Sequence, residues 1–328
     1  MTLTVKSEGG RGRQFRLSAE DKPVLIAAGF ILVILAAGTA YTLATQGTAT
    51  LLQPQYLLQQ LQVGAFLGIV AAGMMLVILL GHIDLSVPWT LTAAAMMATA
   101  VGGQAAIPVG LGVGLLVGLM NGLGVAYLRV PSMIFTLGVN AVMRGLMVAH
   151  TGGFAPRTAA TGAMQYLAVQ RIAGIPVALL VWLAVSALVV LILRRTAFGR
   201  AVYAVGNRER AAYMSGIDTS RVILGAFVLS GMLAALAGVL LAGYSNKAYQ
   251  GMGDAYLLPA IAAVVIGGTS ILGGQGRYLG TFVGVILIVL LNSVLSIMQI
   301  PEAGRQIIYG VVIIAMLLVY GRGSKVVA

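Results

Sequence analysis

Ten stretches of this chain run for about the thickness of a bilayer with almost no charge, and few folds accommodate that pattern. A helix needs about 20 apolar residues to cross the hydrocarbon core. The stretches run from Val24 to Ala44, Leu57 to Gly81, Thr90 to Val101 with its flanks, Pro108 to Leu128 and Met133 to His150. They continue from Ile175 to Leu193, Val222 to Tyr244, Leu257 to Gly274, Leu279 to Met298 and Gln306 to Tyr320. Spans of this kind must be helical, because strand edges would leave backbone groups unpaired in lipid. The expectation is therefore an all-α integral membrane protein of about ten transmembrane helices. Only 9% of the residues are charged, against roughly 25% in soluble domains, so lipid must be the solvent for much of the surface. The 44 glycines agree with this, since small residues let membrane helices approach closely.

The net charge of +12 invites a nucleic-acid reading, but its distribution excludes one. The basic residues cluster at short hydrophilic joints, where they act as topology signals. With the N-terminus in the cytoplasm, Lys6, Arg11, Arg13, Arg16, Lys22, Arg129, Arg194, Arg195, Arg200, Arg208, Arg210, Arg221, Arg277, Arg322 and Lys325 all lie inside. Arg157, Arg171, Lys247 and Arg305 fall outside, and Arg144 lies within a span. Both termini are then cytoplasmic: a tail over 1–22, a membrane domain over 23–322 with a cytoplasmic segment at 195–220, and a tail over 323–328. The first stretch does not read as a secretory signal, because a long basic tail precedes it and no small-residue cleavage site follows it. There is no G-x-x-x-x-G-K-[ST] loop, so energy from ATP would have to come from another subunit. With no cysteine, disulfides, thiolate catalysis and cysteine-ligated metals are excluded. The two histidines, His82 and His150, are far apart in sequence, and no metal site is expected.

Three polar groupings carry the chemistry. Between the sixth and seventh spans runs Arg194-Arg195-Thr196-Ala197-Phe198-Gly199-Arg200, continuing through Tyr203-Ala204-Val205-Gly206-Asn207-Arg208-Glu209-Arg210-Ala211-Ala212-Tyr213-Met214-Ser215-Gly216-Ile217. Asn207 is suited to an N-cap and Gly216 to a C-terminal stop, so a short helix is expected between them. Ala211, Ala212 and Ser215 would give it a small-residue face on which another protein could sit. A docking helix and a solvated loop that fixes topology both fit.

At the end of the second span, Ile83-Asp84-Leu85-Ser86 reads as a helix break, with Asp84 or Ser86 able to cap the next helix and Pro88 tolerated in its first turn. Asp84 is the only carboxylate between Asp21 and Glu209. A cap that shapes a gate and a direct solute contact are both open to it. Arg144, a charge within a span, either reaches to the outer surface or lines a path. Asn121, Asn140 and Asn292 are either glue between helices or solute contacts.

The 199–217 segment resembles the coupling region of ABC permeases of the ribose/xylose/autoinducer sugar-importer family, roughly G-R-x-x-Y-A-x-G-x-N-x-x-A-A-x-x-S-G-I. Gly199, Arg200, Tyr203, Ala204, Gly206, Ala211, Ala212, Ser215, Gly216 and Ile217 match, while Gly206-Asn207-Arg208 departs from the usual Gly-Gly-Asn. Gly73 to Trp89 is similar to the family's G-M-T-L-V-I-x-x-G-G-I-D-L-S-V-G-S, with His82 in place of a glycine and Pro88-Trp89 in place of Gly-Ser. Further similar stretches are Gly118 to Gly122, Pro131 to Gly153, Leu229 to Gly238 and Gly267 to Gly276. The resemblance covers about residues 55 to 322, in the family's order.

It implies a permease subunit of a binding-protein-dependent importer in the bacterial inner membrane, working by alternating access and performing no covalent chemistry. Implied partners are a second permease chain, an ATP-binding cassette subunit that holds the ATP and magnesium, and an extracytoplasmic sugar-binding protein. The chain itself would carry no cofactor. Docking would fall on Gly199, Arg200, Ala204, Gly206, Asn207, Arg208, Arg210, Ala211, Ala212, Ser215 and Gly216. The gate or path would involve Asp84, Ser86, Asn121, Asn140, Arg144 and Asn292. Rival readings are an ion-coupled secondary transporter, which would need more intramembrane acids, a membrane-embedded enzyme, which would need clustered His, Asp or Glu, and a permease for branched-chain amino acids or nucleosides.

Overall fold

A computed structural model describes residues 22–321 apart from 155 and 157. Of the tail expected over 1–22, residues 1–21 lie outside the described residues, as do Arg157, Arg322 and the tail expected over 323–328.

The helices are α1 (Lys22–Gln46), α2 (Pro54–Leu79), α3 (Val87–Val101), α4 (Ala106–Ala126), α5 (Ser132–Thr151), α6 (Gly162–Val169) and α7 (Val177–Arg195). They continue with α8 (Ala197–Asn207), α9 (Glu209–Met214), α10 (Thr219–Ser245), α11 (Leu257–Ile266), α12 (Tyr278–Ile297) and α13 (Glu302–Gly321). A two-residue antiparallel ribbon pairs Arg171–Ile172 with Ile175–Pro176. Prolines stand in the first turns of α2 and α3, where no amide donor is required.

Among the described residues seven helices are long and apolar enough to cross a membrane. The third and eighth expected spans are shorter apolar helices. The eighth ends at Ile266 rather than Gly274, because Gly267 and Gly268 (φ +87°) turn the chain out of the helix. Hydropathy misses this stop, since the turn that follows is itself apolar and glycine-rich.

α2 forms the centre and is almost wholly buried, whereas α1 and α5 expose most of their apolar side chains, as helices facing lipid or a neighbouring chain do. α4 packs on α10 through Gly110, Gly114, Gly118 and Gly122, which recur every fourth residue and so share one face. A Cβ at Gly114 would lie 2.3 Å from the Gly231 carbonyl oxygen, and one at Gly118 would lie 2.6 Å from that of Phe227. Backbone contact of this closeness is what small residues allow in membrane bundles.

Two ends of the bundle are distinguishable. At one, the Gly274 amide donates to the Leu79 carbonyl (2.9 Å) and Arg129 pairs with Glu209. At the other, Gln165 donates to the Asn246 side-chain oxygen (2.7 Å). The connection from α10 to α11 packs onto α3, where the Gly253 amide donates to Thr92 Oγ1 (3.1 Å).

Candidate coupling face and gate

Thr196 opens α8 by accepting the Gly199 amide at 3.1 Å. Gly199 permits the tight α7–α8 corner, since a Cβ there would lie 2.3 Å from the Ile192 carbonyl oxygen. α8 then continues through Asn207, and the N-cap of α9 is Arg208, with extended backbone. Asn207 is therefore not the cap. Gly206 lies so close to the Leu79 carbonyl oxygen that a Cβ would be 1.8 Å from it. That contact holds the chain helical for one residue more than the sequence suggested. Gly216 (φ +83°) does terminate α9, in a left-handed conformation that glycine adopts freely.

The outward face of α9 also differs from expectation. Ala212 is only 5% exposed and faces inward. Gly199 and Gly206 likewise serve as joints packed against backbone. Arg200, Arg208, Arg210, Ala211, Ser215 and Gly216 are exposed and Ala204 is half-buried. Tyr213 and Met214, which composition did not single out, are 68% and 83% exposed. The phase of a six-residue helix is set by what it packs on, so sequence alone could not orient it.

Three family-like stretches meet beneath this helix. Gly206 touches the end of α2, Gly273 and Gly274 pack against Gly206 and Asn207, and Tyr203 Oη donates to the Gly276 carbonyl (2.9 Å). The 199–217 segment, the glycine-rich 267–276 loop and the turn leading to Asp84 thus form one block.

Asp84, 1% exposed, sits beyond that turn. Its Oδ1 accepts the Ser86 amide (3.0 Å), Ser86 Oγ (2.6 Å) and Asn121 Nδ2 (3.4 Å), and its Oδ2 accepts Ser230 Oγ (3.1 Å). Asn121 Nδ2 also reaches Ser86 Oγ at 2.7 Å. Ser86 is the N-cap of α3 by position but accepts no capping bond, so the carboxylate closes the turn itself and ties α3 to α4 and α10. Ser230 went unnoticed in the sequence, where it is one hydroxyl in a long apolar helix. Asp84, Ser86 and Asn121 are all buried.

Asn140 and Arg144 form a separate group on α5. Asn140 Oδ1 accepts the Trp89 amide (3.3 Å), and the Arg144 guanidinium lies 5.8 Å from the centre of the Trp89 ring, a cation–π contact. Arg144 is also near enough to Asp254 to interact electrostatically. Asn292 belongs to neither group: its Oδ1 accepts from Arg305 at 2.9 Å, toward the opposite end from α9.

Two titratable groups border the candidate docking face. Burial pushes the His82 imidazole below its ordinary value, with Glu209 opposing and Arg129 adding to the shift. Burial pushes Glu209 up, but Arg129, Thr219 and His82 outweigh it and hold the carboxyl below its usual range. Both folded-state values are depressed, so the stabilisation is present above the unfolded pKa and lost as pH falls through the folded one. For His82 the loss begins below about pH 6.5, and for Glu209 below about pH 4.3. Thermal midpoints in detergent should therefore fall as pH drops from about 7.5 to about 5.5. A His82→Gln chain should lose much of that slope, and an unchanged slope would exclude His82 as its source.

Among the described residues no three His, Asp or Glu side chains come together as metal ligands.

The ribose import permease protein RbsC of Bacillus subtilis (strain 168) is 36% identical over 272 residues, covering 81% of this chain and 84% of that protein. The protein of the same name from Escherichia coli (strain K12) is 34% identical over 271 residues, covering 80% and 84%. The autoinducer 2 import system permease protein LsrC of Escherichia coli (strain K12 / DH10B) is 34% identical over 272 residues, covering 77% and 75%. No solved structure matches the chain. A family model described as branched-chain amino acid transport system / permease component matches residues 56–317, and with relatives this similar over most of their length, the chain belongs to that family of multi-pass membrane permeases.

Proposed function

We propose that this chain is the membrane-spanning subunit of an ATP-driven, binding-protein-dependent importer of a sugar, acting by alternating access in the bacterial inner membrane. It would pair with an identical or related permease chain, receive solute from an extracytoplasmic binding protein, and leave ATP hydrolysis to a cassette subunit docked on 208–216. The residues 23–322 would make up the permease domain, with both tails in the cytoplasm.

The observation that carries this reading is the exposed α9 face, with Tyr213 and Met214 projecting between arginines, backed by the glycine joint at Gly206. A short helix rigidly seated on the end of α2 can pass a push from a docked motor toward the Asp84 turn. The solute class rests on the relatives, two ribose import permeases and one autoinducer 2 import permease. The family description names branched-chain amino acids instead. Competition of labelled ribose uptake by excess ribose or excess leucine separates the two.

Reversing both charges, Arg208→Glu with Arg210→Glu, should leave the chain inserted but cut co-purification of the ATPase by about tenfold or more. Undiminished co-purification and uptake would remove docking from this segment.

A further inference from the structure

Away from the coupling face, a cavity of about 210 Å³ opens between α2, α11, α12, α13 and the connection from α10 to α11. Its volume falls below the roughly 300–1,000 Å³ of pockets for drug-sized ligands, so it suits a smaller molecule. Apolar side chains of α2 and α12 form part of its wall, while Tyr249, Tyr256, Tyr309, Gln60, Asn292 and Glu302 bring polar atoms to it. Among the described residues the hydroxyls of the three tyrosines and the Gln60 amide take no hydrogen bond. Asn292 differs, because Arg305 Nη1 holds its oxygen at 2.9 Å and leaves its NH2 to donate elsewhere. The Glu302 carboxylate lies 3.7 Å from the same arginine, so its charge is compensated locally. A second cavity shares Glu302 and Tyr309 and continues to Asn140 and Pro88 at the start of α3.

We propose that this cavity, lined by residues of a single chain, is a binding station for a neutral polyhydroxylated solute of monosaccharide size. Each tyrosyl hydroxyl both donates and accepts, Gln60 does the same through separate atoms and Asn292 adds a donor, which matches the dual character of sugar hydroxyls. The negative faces of aromatic rings suit the C–H faces of a sugar. With Glu302, the carboxylate in its lining, close to Arg305, no uncompensated charge in the wall calls for an ionic ligand. The proposal rests on the importer reading and adds to it a site inside one subunit, not between two.

Since the chain contains no cysteine, a single Ala255→Cys on the wall shared by both cavities reports alone. In the assembled importer in lipid nanodiscs, its modification by a membrane-impermeant maleimide should slow about fivefold in about 100 mM ribose or galactose, but not in equimolar leucine. Unchanged rates in both sugars, or protection by leucine alone, overturn the proposal. Tyr309→Phe, which keeps the ring and removes one hydroxyl, should reduce ATP-driven uptake of labelled ribose or galactose by about tenfold. Wild-type uptake by that variant also overturns the site while leaving the importer intact. If the unmodified importer shows no ATP-dependent uptake of either sugar, the importer reading itself fails, so the two failures are distinguishable.

Discussion

An Asp84→Ala chain should unfold in detergent well below the parent and accumulate poorly in the membrane. The carboxylate accepts four hydrogen bonds from Ser86, Asn121 and Ser230 in a fully buried position. Removing it strands those donors, and a buried group left unsatisfied costs about 1–3 kcal/mol. The Ser230 hydroxyl can turn toward its own helix carbonyls, and interhelical polar contacts in membranes average only about 0.6 kcal/mol. A net loss of about 3 kcal/mol is therefore more realistic than the full sum. Asp84→Asn retains the Oδ1 acceptor and offers Ser230 a donor, so it should recover most of the loss. Thermal midpoints of the two variants decide the matter. Equal stability in Asp84→Ala and the parent would mean that the three helices are not held by this residue.

Gly206→Val should abolish transport even where the chain still inserts. Its Cβ would stand 1.8 Å from the Leu79 carbonyl oxygen and 2.8 Å from the Gly274 amide, both backbone atoms that no rotamer change can move. Overpacking typically costs about 1–3 kcal/mol. Here it would also break the Gly274 to Leu79 hydrogen bond, worth about 1 kcal/mol. Gly216→Ala provides the contrast, because nothing lies within 4 Å and only the positive φ resists a side chain. That substitution should cost about 1 kcal/mol and leave measurable uptake. If Gly206→Val imports solute like the parent, the joint is not part of the coupling path.

These expectations also show which parts of the architecture the sequence makes legible. Helix positions follow from lipid as solvent, because any uncharged stretch of sufficient length has one way to satisfy its backbone. α11 escapes that logic, since Gly267 to Gly274 is apolar enough to extend a span yet turns at Gly268, Gly273 and Gly274, all with positive φ. The Asp84–Ser86 turn is readable because a lone carboxylate in an apolar region must be held by something. Its holders Asn121 and Ser230 lie 37 and 146 residues away, and only helix packing brings them there. Ala212, expected on the outward face, turns inward and Tyr213 projects outward instead, because the facing of so short a helix is imposed by its neighbours.

The glycine-lined contact between α4 and α10 bears on where such a machine can move. Two backbones pressed together at Gly114–Gly231 and Gly118–Phe227 have no side chains between them to repack, so sliding or rotation would drive carbonyl into carbonyl. Under the alternating access proposed above, this pair would act as a fulcrum, stationary while other parts swing. Displacement would then fall on the loosely covered α5. A spin label on α5 and another on α4 should therefore change their separation during a transport cycle, whereas labels on α4 and α10 should keep theirs.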